Sequence, residues 1–345
     1  MTVVVKLGTS LVADGNGRVR RSLLAARAAD VAAIAARGER VCIVSSGAIA
    51  LGLPLIGAGR RPRATPQLQA ASAAGQVRLQ LAWEAALRRH GLRVALVLLS
   101  AGDLADRGAY VNARNALQAL LRLGVVPVVN ENDATATDEI TFGDNDALAA
   151  QVAVLLRARL LVLLTEVDGV YTAHPAVAGA RPIAEGDLVD EAEFGPGSEH
   201  GRGGMASKVG AARLAAEAGI PTVIASGYGD GVVAAIAEGE ARGTRFPAAA
   251  RSASAFKLWL RHAKPTSGRL VLDDGARAAV ADGGRSLLAV GVVGCEGSFR
   301  AGDAVELVTL DGTAIGKGIA GADADELRAR PRDVEAVHRD RLVLY

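Results

Sequence analysis

Short apolar runs alternate with helical patterns along the first two thirds of the chain. Runs rich in Val, Ile and Leu predict strands at residues 3–7, 40–44, 93–99, 125–129, 160–164 and 222–225. The segments between them predict helices at residues 22–37, 65–90, 110–123, 145–158 and 205–218. Strands that are apolar almost throughout and alternate with helices indicate a mostly parallel sheet sandwiched by helices. The expected fold class is therefore α/β, with ligands bound beyond the carboxyl ends of the strands.

Polar residues and glycines mark the ends of these predicted helices. Ser22 can cap the helix that runs to residue 37, and Gly38 is a typical stop. Thr65 stands before Pro66, which places a cap residue ahead of a proline at the first helical position.

The pattern changes after Pro247. Residues 248–266 carry four Lys or Arg and no acid, and predict a basic linker with one short element around residues 256–260. Short strands separated by Asp and Gly turns are then predicted at residues 268–272, 286–293, 304–310 and 313–319. This spacing is typical of a small β-barrel. The sequence therefore predicts a large α/β domain at residues 1–247, the linker, and a barrel-like domain at residues 267–345.

Composition narrows the class of protein. The 345 residues are 50% hydrophobic, which allows a large core. The net charge of +2 is small and does not indicate general binding to nucleic acids or membranes. Cys42, Cys295 and the five histidines show no metal-ligand spacing, so we expect no metal held by the protein itself. The N-terminus enters a strand pattern directly, with no signal-peptide pattern. We therefore expect a cytoplasmic protein without a membrane partner.

Lysine is rare, and its positions are informative. The chain has 34 Arg but only 5 Lys, and only Lys6 and Lys208 lie in the first 256 residues. A guanidinium fork cannot replace a compact ammonium group in a tight pocket, so these two lysines are candidates for a phosphate site. Lys6 ends an apolar strand, and Lys208 follows a glycine cluster.

Polar clusters follow the predicted strands. Two of these clusters, around residues 130–133 and 143–147, are together the richest in carboxylate and amide groups. They contain more of these groups than helix capping requires. Such groups can bind a substrate ammonium, hold Mg²⁺, or orient lysines by pairing with them. The clusters are Lys6-Leu7-Gly8-Thr9-Ser10, Ser45-Ser46-Gly47-Ala48-Ile49, Asn130-Glu131-Asn132-Asp133, Gly143-Asp144-Asn145-Asp146, Thr165-Glu166 and Gly203-Gly204-Met205-Ala206-Ser207-Lys208.

In their order and spacing, these motifs resemble those of the glutamate 5-kinase family of the amino-acid-kinase superfamily. The tail resembles the C-terminal PUA domain of that family through Gly268–Ala276, Gly284–Leu288 and Gly302-Asp303. The resemblance covers nearly the whole chain.

The resemblance implies transfer of the γ-phosphoryl group of ATP, with Mg²⁺, to the side-chain carboxylate of L-glutamate, the first step of proline biosynthesis. It implies a glutamate site formed by Ser46, Gly47, Asp133, Asp144 and Asn145. It further implies a homodimer or homotetramer formed through the kinase domain, and feedback inhibition by L-proline. The residues implied for ATP binding are Lys6, Gly8, Thr165, Glu166, Arg202, Gly203, Gly204, Met205, Ala206, Ser207 and Lys208; at Glu166 the family usually has Asp.

The chemical needs of phosphoryl transfer favour catalytic roles for Lys6, Lys208 and Asp146. Phosphoryl transfer needs in-line positioning and neutralisation of charge more than covalent help. Two ammonium groups can supply that neutralisation, and a carboxylate between them would hold both in place. We expect Asp146 to be that carboxylate.

Two alternatives stay open. A related kinase could act on another carboxylate, on a carbamate or on a phosphate acceptor. A protein that binds RNA through its tail is the other, but residues 267–345 carry more acidic than basic side chains, and RNA affinity usually rests on a basic surface. We therefore do not expect a nucleic-acid partner.

Overall fold

The computed structural model describes residues 1–135, 145–186, 189, 204–249 and 254–345. The chain divides into two compact units, Met1–Ser252 and Ala253–Tyr345. The division falls within the segment that the sequence sets apart as a linker.

The described part of the first unit contains nine strands. Seven of them form one sheet in the order β3-β4-β2-β1-β5-β8-β9, and β6 pairs with β7 separately. The neighbouring pairs are parallel from β3 to β8, and β9 runs antiparallel to β8. The prediction of a mostly parallel sheet is confirmed. The strands are β1 (Thr2–Leu7), β2 (Arg40–Ser45), β3 (Arg93–Leu99), β4 (Val125–Glu131), β5 (Leu160–Thr165), β6 (Val170–Tyr171), β7 (Pro182–Ile183), β8 (Thr222–Ser226) and β9 (Thr244–Phe246).

Helices cover both faces of this sheet. Side chains of α2, α4 and α9 share one apolar core with β1 and β2, while α7 packs between α6 and α8 and against β1. All six residues of β1 are buried, which explains why the sequence of this strand is mostly apolar. The helices of this unit are α1 (Thr9–Val12), α2 (Arg21–Ala36), α3 (Ala48–Gly52), α4 (Thr65–Arg88), α5 (Ala101–Ala105), α6 (Arg107–Arg122), α7 (Asn145–Leu156), α8 (Met205–Glu217) and α9 (Val232–Glu238), with a 3-10 turn at Leu53–Ile56.

The structure corrects the two predicted helix caps. Helix α2 follows Arg20 and α4 follows Ala64, so Ser22 and Thr65 lie inside the first turn, and neither helix has a side-chain cap. Both starts lie at the surface. Water can satisfy the free N–H groups there, so a side-chain cap is not required.

The described part of the second unit contains six strands in one curled sheet. Their order is β11-β15-β14-β13-β10-β12. The strands are β10 (Thr266–Leu272), β11 (Leu287–Leu288), β12 (Val292–Gly297), β13 (Ala304–Val308), β14 (Ala314–Ala320) and β15 (Glu335–Leu344), and the helices are α10 (Ala255–His262), α11 (Asp274–Ala281) and α12 (Ala324–Arg328).

Several strands differ from the prediction or were not predicted. The predicted strand at residues 286–293 is divided into β11 and β12 by a 3-10 turn at Ala289–Gly291, where Gly291 packs closely against Ala276. Strand β15 was not predicted, because its centre at residues 338–341 is polar and exposed. The short strands β6, β7 and β9 were also not predicted, since two or three residues are too few for a pattern.

Across the described ranges, no helix is both long and apolar enough to cross a membrane.

Candidate active site

The carboxyl ends of four neighbouring parallel strands carry the polar motifs. In the sheet, β4, β2, β1 and β5 are adjacent, and each ends or continues into a motif that the sequence singles out. Parallel strands end at the same edge, so their following loops meet there. Side chains that are far apart in sequence are brought together at this edge.

Lys6, Asp146 and Lys208 are in direct contact and form what we call the lysine–aspartate cluster. Lys6 lies near the end of β1, Asp146 in the first turn of α7, and Lys208 in the first turn of α8. The Nζ atom of Lys6 is 2.6 Å from Oδ1 of Asp146, and Nζ of Lys208 is 3.1 Å from Oδ2. Each carboxylate oxygen therefore holds one ammonium group.

The cluster is almost completely excluded from water. Asp146 is 1% exposed, Lys6 4% and Lys208 7%. Burying such charges is costly unless they are paired and hydrogen-bonded. Two cations on one anion leave an excess of positive charge, so the cluster favours an anionic ligand.

The cluster also determines the ionisation of its carboxylate. Burial raises the pKa of Asp146, but the ammonium groups of Lys6 and Lys208 outweigh burial and leave that pKa below its usual value. The carboxylate is therefore ionised at neutral pH and can hold both lysines in place. Ser207 adds a weak contact, with Oγ 3.4 Å from Oδ2 of Asp146.

A glycine lies close to each of the two lysines along the chain. A Cβ atom on Gly8 would lie 3.7 Å from Nζ of Lys6. Gly204 is the N-cap of α8, which has no side-chain cap, so the first-turn N–H groups of Met205 and Ala206 have no side-chain acceptor from the cap. Free N–H groups at a helix N-terminus favour phosphate.

A second set of side chains forms a continuous series of hydrogen bonds, which we call the amide chain. Asn145 Nδ2 donates to Ser46 Oγ (2.8 Å) and to Asn130 Oδ1 (3.2 Å). Asn130 Nδ2 donates to Gln76 Oε1 (3.1 Å), and Gln76 Nε2 is 3.4 Å from Ser72 Oγ. Ser72 Oγ donates to Asp133 Oδ2 (2.8 Å). The amide chain thus runs through Ser46, Asn145, Asn130, Gln76, Ser72 and Asp133.

The amide chain ends on a buried carboxylate and carries an unsatisfied acceptor. Burial raises the pKa of Asp133, against smaller lowering effects of the hydrogen bond from Ser72 and the charge of Arg61. Oδ1 of Asn145 is buried and has no hydrogen-bond partner among the described residues. Buried acceptors are normally paired, so this atom is suited to a ligand donor.

Close packing of α3 against α4 fixes the helix that follows Ser46 and Gly47. A Cβ atom on Gly52 would lie 1.8 Å from the Ala71 carbonyl oxygen, so α3 and α4 cross in backbone contact. Gly47 precedes α3 with φ of 110°, and a Cβ there would lie 2.9 Å from Val12. Both conditions require glycine.

The predicted nucleotide residues after β5 lie at the same edge of the sheet. Thr165 ends β5, and its carbonyl oxygen accepts a hydrogen bond of 2.7 Å from the Gly227 amide. The Glu166 side chain is exposed. Asp144, Arg202 and Gly203 lie outside the described residues.

Ser72 and Gln76 lie outside the motifs that the sequence singles out. The two residues are four apart on the buried face of an alanine-rich helix, α4, and this spacing was the available signal. Their partners lie far away in sequence, so the contact itself could not be predicted.

The described residues contain no group of three or more His, Cys, Asp or Glu side chains suited to a metal ion. Both oxygens of Asp146 contact ammonium groups, which removes the most central carboxylate as a metal ligand.

Comparison with known proteins identifies the family. The sequence profile of the amino acid kinase family matches residues 1–226, about two thirds of the chain. This chain belongs to the amino acid kinase family. Within it, this amino acid kinase is 43% identical to the glutamate 5-kinase of Ralstonia nicotianae, in an alignment that covers 99% of this chain and 96% of that protein. It is also 43% identical to the glutamate 5-kinase of Chromobacterium violaceum, over 99% of this chain and 97% of that protein.

Two further comparisons concern the fold. The PUA domain profile matches residues 268–339 of this amino acid kinase. The solved T. acidophilum isopentenyl phosphate kinase in its product complex aligns with a TM-score of 0.51 and 20% identity, over 71% of this chain and 100% of that chain. At that identity the likeness shows the fold alone. The expected fold classes of both parts of the chain are confirmed.

Proposed function

We propose that this chain transfers the γ-phosphoryl group of ATP to the side-chain carboxylate of L-glutamate and forms L-glutamyl 5-phosphate, the first step of proline biosynthesis. The observation that carries the proposal is the lysine–aspartate cluster, two buried ammonium groups on one buried carboxylate at the carboxyl edge of the sheet. The glutamate 5-kinases that align with nearly the whole chain support the choice of acceptor.

The reaction needs no general base from the protein. A carboxylate oxygen of glutamate attacks the γ-phosphorus, the new O–P bond forms, and the bond to the bridging oxygen breaks to release ADP. A carboxylate with a usual pKa of about 4.3 is already ionised at neutral pH. Because no proton has to be removed from the substrate, the protein has two tasks, charge neutralisation and in-line positioning.

The lysine–aspartate cluster is suited to charge neutralisation. In the proposed mechanism, Lys6 and Lys208 donate hydrogen bonds to oxygens of the transferring and leaving phosphates. Asp146 keeps both ammonium groups in fixed positions, so they need not reorganise as charge develops. Catalysis by preorganised donors of this kind depends on their exclusion from water, and all three side chains are buried.

The amide chain is suited to holding glutamate. We propose that the carboxylate of Asp133 and the unsatisfied Oδ1 of Asn145 accept hydrogen bonds from the substrate ammonium group. Ser46, which accepts from Asn145, would orient a substrate carboxylate. Gln76 and Asn130 fix the orientation of the Asn145 amide through their own hydrogen bonds.

We expect Mg²⁺ to bind with the nucleotide. Mg²⁺ commonly keeps several waters and uses substrate phosphates as ligands. Such an ion would add positive charge to the phosphates, and it needs no cage of protein carboxylates.

A hydroxylamine trap tests the acceptor. Purified protein with ATP, Mg²⁺ and hydroxylamine should form a hydroxamate from L-glutamate, because an acyl phosphate reacts with hydroxylamine. N-acetyl-L-glutamate, which lacks the ammonium group, and L-aspartate, which is shorter, should give little product. Turnover confined to another acceptor would overturn the proposal.

Three further properties stay predictions from the family resemblance. These are assembly as a homodimer or homotetramer, inhibition by L-proline, and location in the cytoplasm. Light scattering of the purified protein and assays with added L-proline test the first two.

A further inference from the structure

A buried ion pair on α2 lies outside the proposed catalytic residues. Arg27 is 1% exposed and Asp30 is 2% exposed, and Nε of Arg27 is 2.8 Å from Oδ2 of Asp30. The pair lies on the apolar face of α2, next to Leu24, Val31 and Ile34. Desolvating two charges costs several kcal/mol each in general, so a pair in such surroundings must be compensated by further contacts.

Those contacts go to the loop between β8 and α9. Nη1 of Arg27 donates to the Gly227 carbonyl oxygen (2.9 Å), and Nη2 donates to the Gly229 carbonyl oxygen. Asp30 lies 3.4 and 3.5 Å from the amide nitrogens of Val233 and Ala234, in the first turn of α9. The N-cap of α9 is a glycine, which provides no side-chain cap. A negative charge stabilises a helix N-terminus, and here Asp30 provides it from another helix.

The loop held in this way has little stiffness of its own. Gly229 and Gly231 have φ of 85° and 70°, values that glycine adopts readily and other residues do not. Three of the five residues 227–231 are glycine. External hydrogen bonds are therefore what select one loop conformation.

The other side of the loop contacts the proposed nucleotide site. The Gly227 amide donates to the carbonyl oxygen of Thr165, and a Cβ on Gly227 would lie 2.3 Å from Leu11. Leu11 belongs to α1, which follows Gly8 directly. Residue 227 thus lies between the end of β5 and the turn after β1.

We propose that Arg27 and Asp30 are a positioning pair that holds the loop of residues 227–231, and through it Thr165 and α1, in the conformation that binds ATP. This inference rests on the proposed function, because it takes the ends of β1 and β5 as the nucleotide site. In the described part of the chain, the hydrogen bonds of the pair go to residues 227–234 and none to the amide chain, so glutamate binding should be independent of it.

The decisive experiment compares an apolar replacement of the pair with a matched control. The double variant Arg27→Met with Asp30→Leu removes both charges together and leaves no unpaired ion in the core, so it should fold. The control is Arg37→Met, because the exposed Arg37–Glu238 pair joins the C-terminal end of α2 to α9, away from the loop. We expect the double variant to raise KM for ATP at least tenfold and to change KM for L-glutamate less than twofold. Arg37→Met should change neither constant.

A binding measurement separates this inference from the proposed function. Titration calorimetry with Mg²⁺ and a non-hydrolysable ATP analogue reports nucleotide affinity without turnover. A loss of affinity in the double variant supports the positioning pair even if L-glutamate proves not to be the acceptor. Unchanged affinity and unchanged KM for ATP, or an equal rise in both KM values, would overturn it, since the pair would then serve only general stability.

Discussion

The lysine–aspartate cluster and the amide chain lie at the same edge of the sheet but are built on different physical principles. The cluster holds three charged groups whose opposite signs fix their positions, and it retains an excess of positive charge. The amide chain holds mostly neutral groups, each oriented by the next hydrogen bond. The first arrangement suits a ligand whose charge changes during the reaction, and the second suits a ligand whose shape must be recognised. We therefore expect cluster variants to change kcat and amide-chain variants to change KM for L-glutamate.

The strongest test of this comparison is Asp146→Asn. The amide cannot neutralise two buried ammonium groups, so Lys6 and Lys208 should move apart and lose their positions. Removal of one preorganised donor typically costs about 10²–10³-fold in kcat, and here both are released, so we expect a loss of at least about 10³-fold. The free energy of unfolding should fall by about 3–5 kcal/mol, as for other broken buried pairs.

Steady-state assays of ADP release and thermal unfolding measure both effects of Asp146→Asn. Glu84→Gln, which changes an exposed carboxylate on α4, is the control for loss of one negative charge. A kcat within tenfold of the unaltered enzyme would show that the cluster does not control the chemical step.

Lys208→Arg is expected to have the next largest effect. Lys208 is 7% exposed and lies 3.1 Å from Asp146. A planar guanidinium group cannot reproduce the position of this compact ammonium group. We expect kcat to fall by about 10²-fold with the fold retained, because charge is kept but geometry is lost. Lys257→Arg, in the second unit, should be silent. Turnover near that of the unaltered enzyme would remove Lys208 from the mechanism.

Gln76→Leu tests the amide chain at its centre. The substitution removes the acceptor for Asn130 Nδ2 and the donor to the Glu131 carbonyl oxygen. The loss of an oriented hydrogen bond costs about 1–2 kcal/mol, which corresponds to a rise of about 5–30-fold in KM for L-glutamate. Because Gln76 lies away from the cluster, kcat and KM for ATP should change little. Gln67→Leu, at an exposed position of the same helix, is the control, and a fall confined to kcat would contradict the division of roles.

The sequence could locate Lys6 because it stands at the end of an apolar run, whereas Asp146 and Lys208 were singled out by the polar and glycine-rich motifs that contain them. Lys6 is the last residue but one of a strand that is buried along its whole length, and such strands are recognisable without knowledge of their neighbours. The rule that ligands bind beyond the carboxyl ends of parallel strands then predicted where Lys6 and the following glycine would act.

The amide chain and the Arg27–Asp30 pair could not be predicted in the same way. Ser72 and Gln76 lie on the buried stripe of α4 that continues through Leu79 and Trp83, so their burial was readable from helical spacing. Their partners lie 61 and 54 residues further along the chain, and one sequence does not reveal which distant strand end they meet. Helix packing, set by glycines at the α3–α4 crossing, decides that.

The smallest predicted effect is a difference in pH dependence between Asp133 and Asp146. Burial raises the pKa of Asp133, whereas Lys6 and Lys208 hold the pKa of Asp146 below its usual value against burial. Asp133 must be ionised to accept the substrate ammonium group, so KM for L-glutamate should rise as pH falls from neutral towards its raised pKa. Asp146 stays ionised through that window, so kcat should not fall on its account. Asp133→Asn, which cannot titrate, should have a higher KM throughout with a flatter pH profile. An equally steep pH profile in Asp133→Asn would assign the pH dependence to another group. It would also weaken the contrast between the amide chain and the lysine–aspartate cluster.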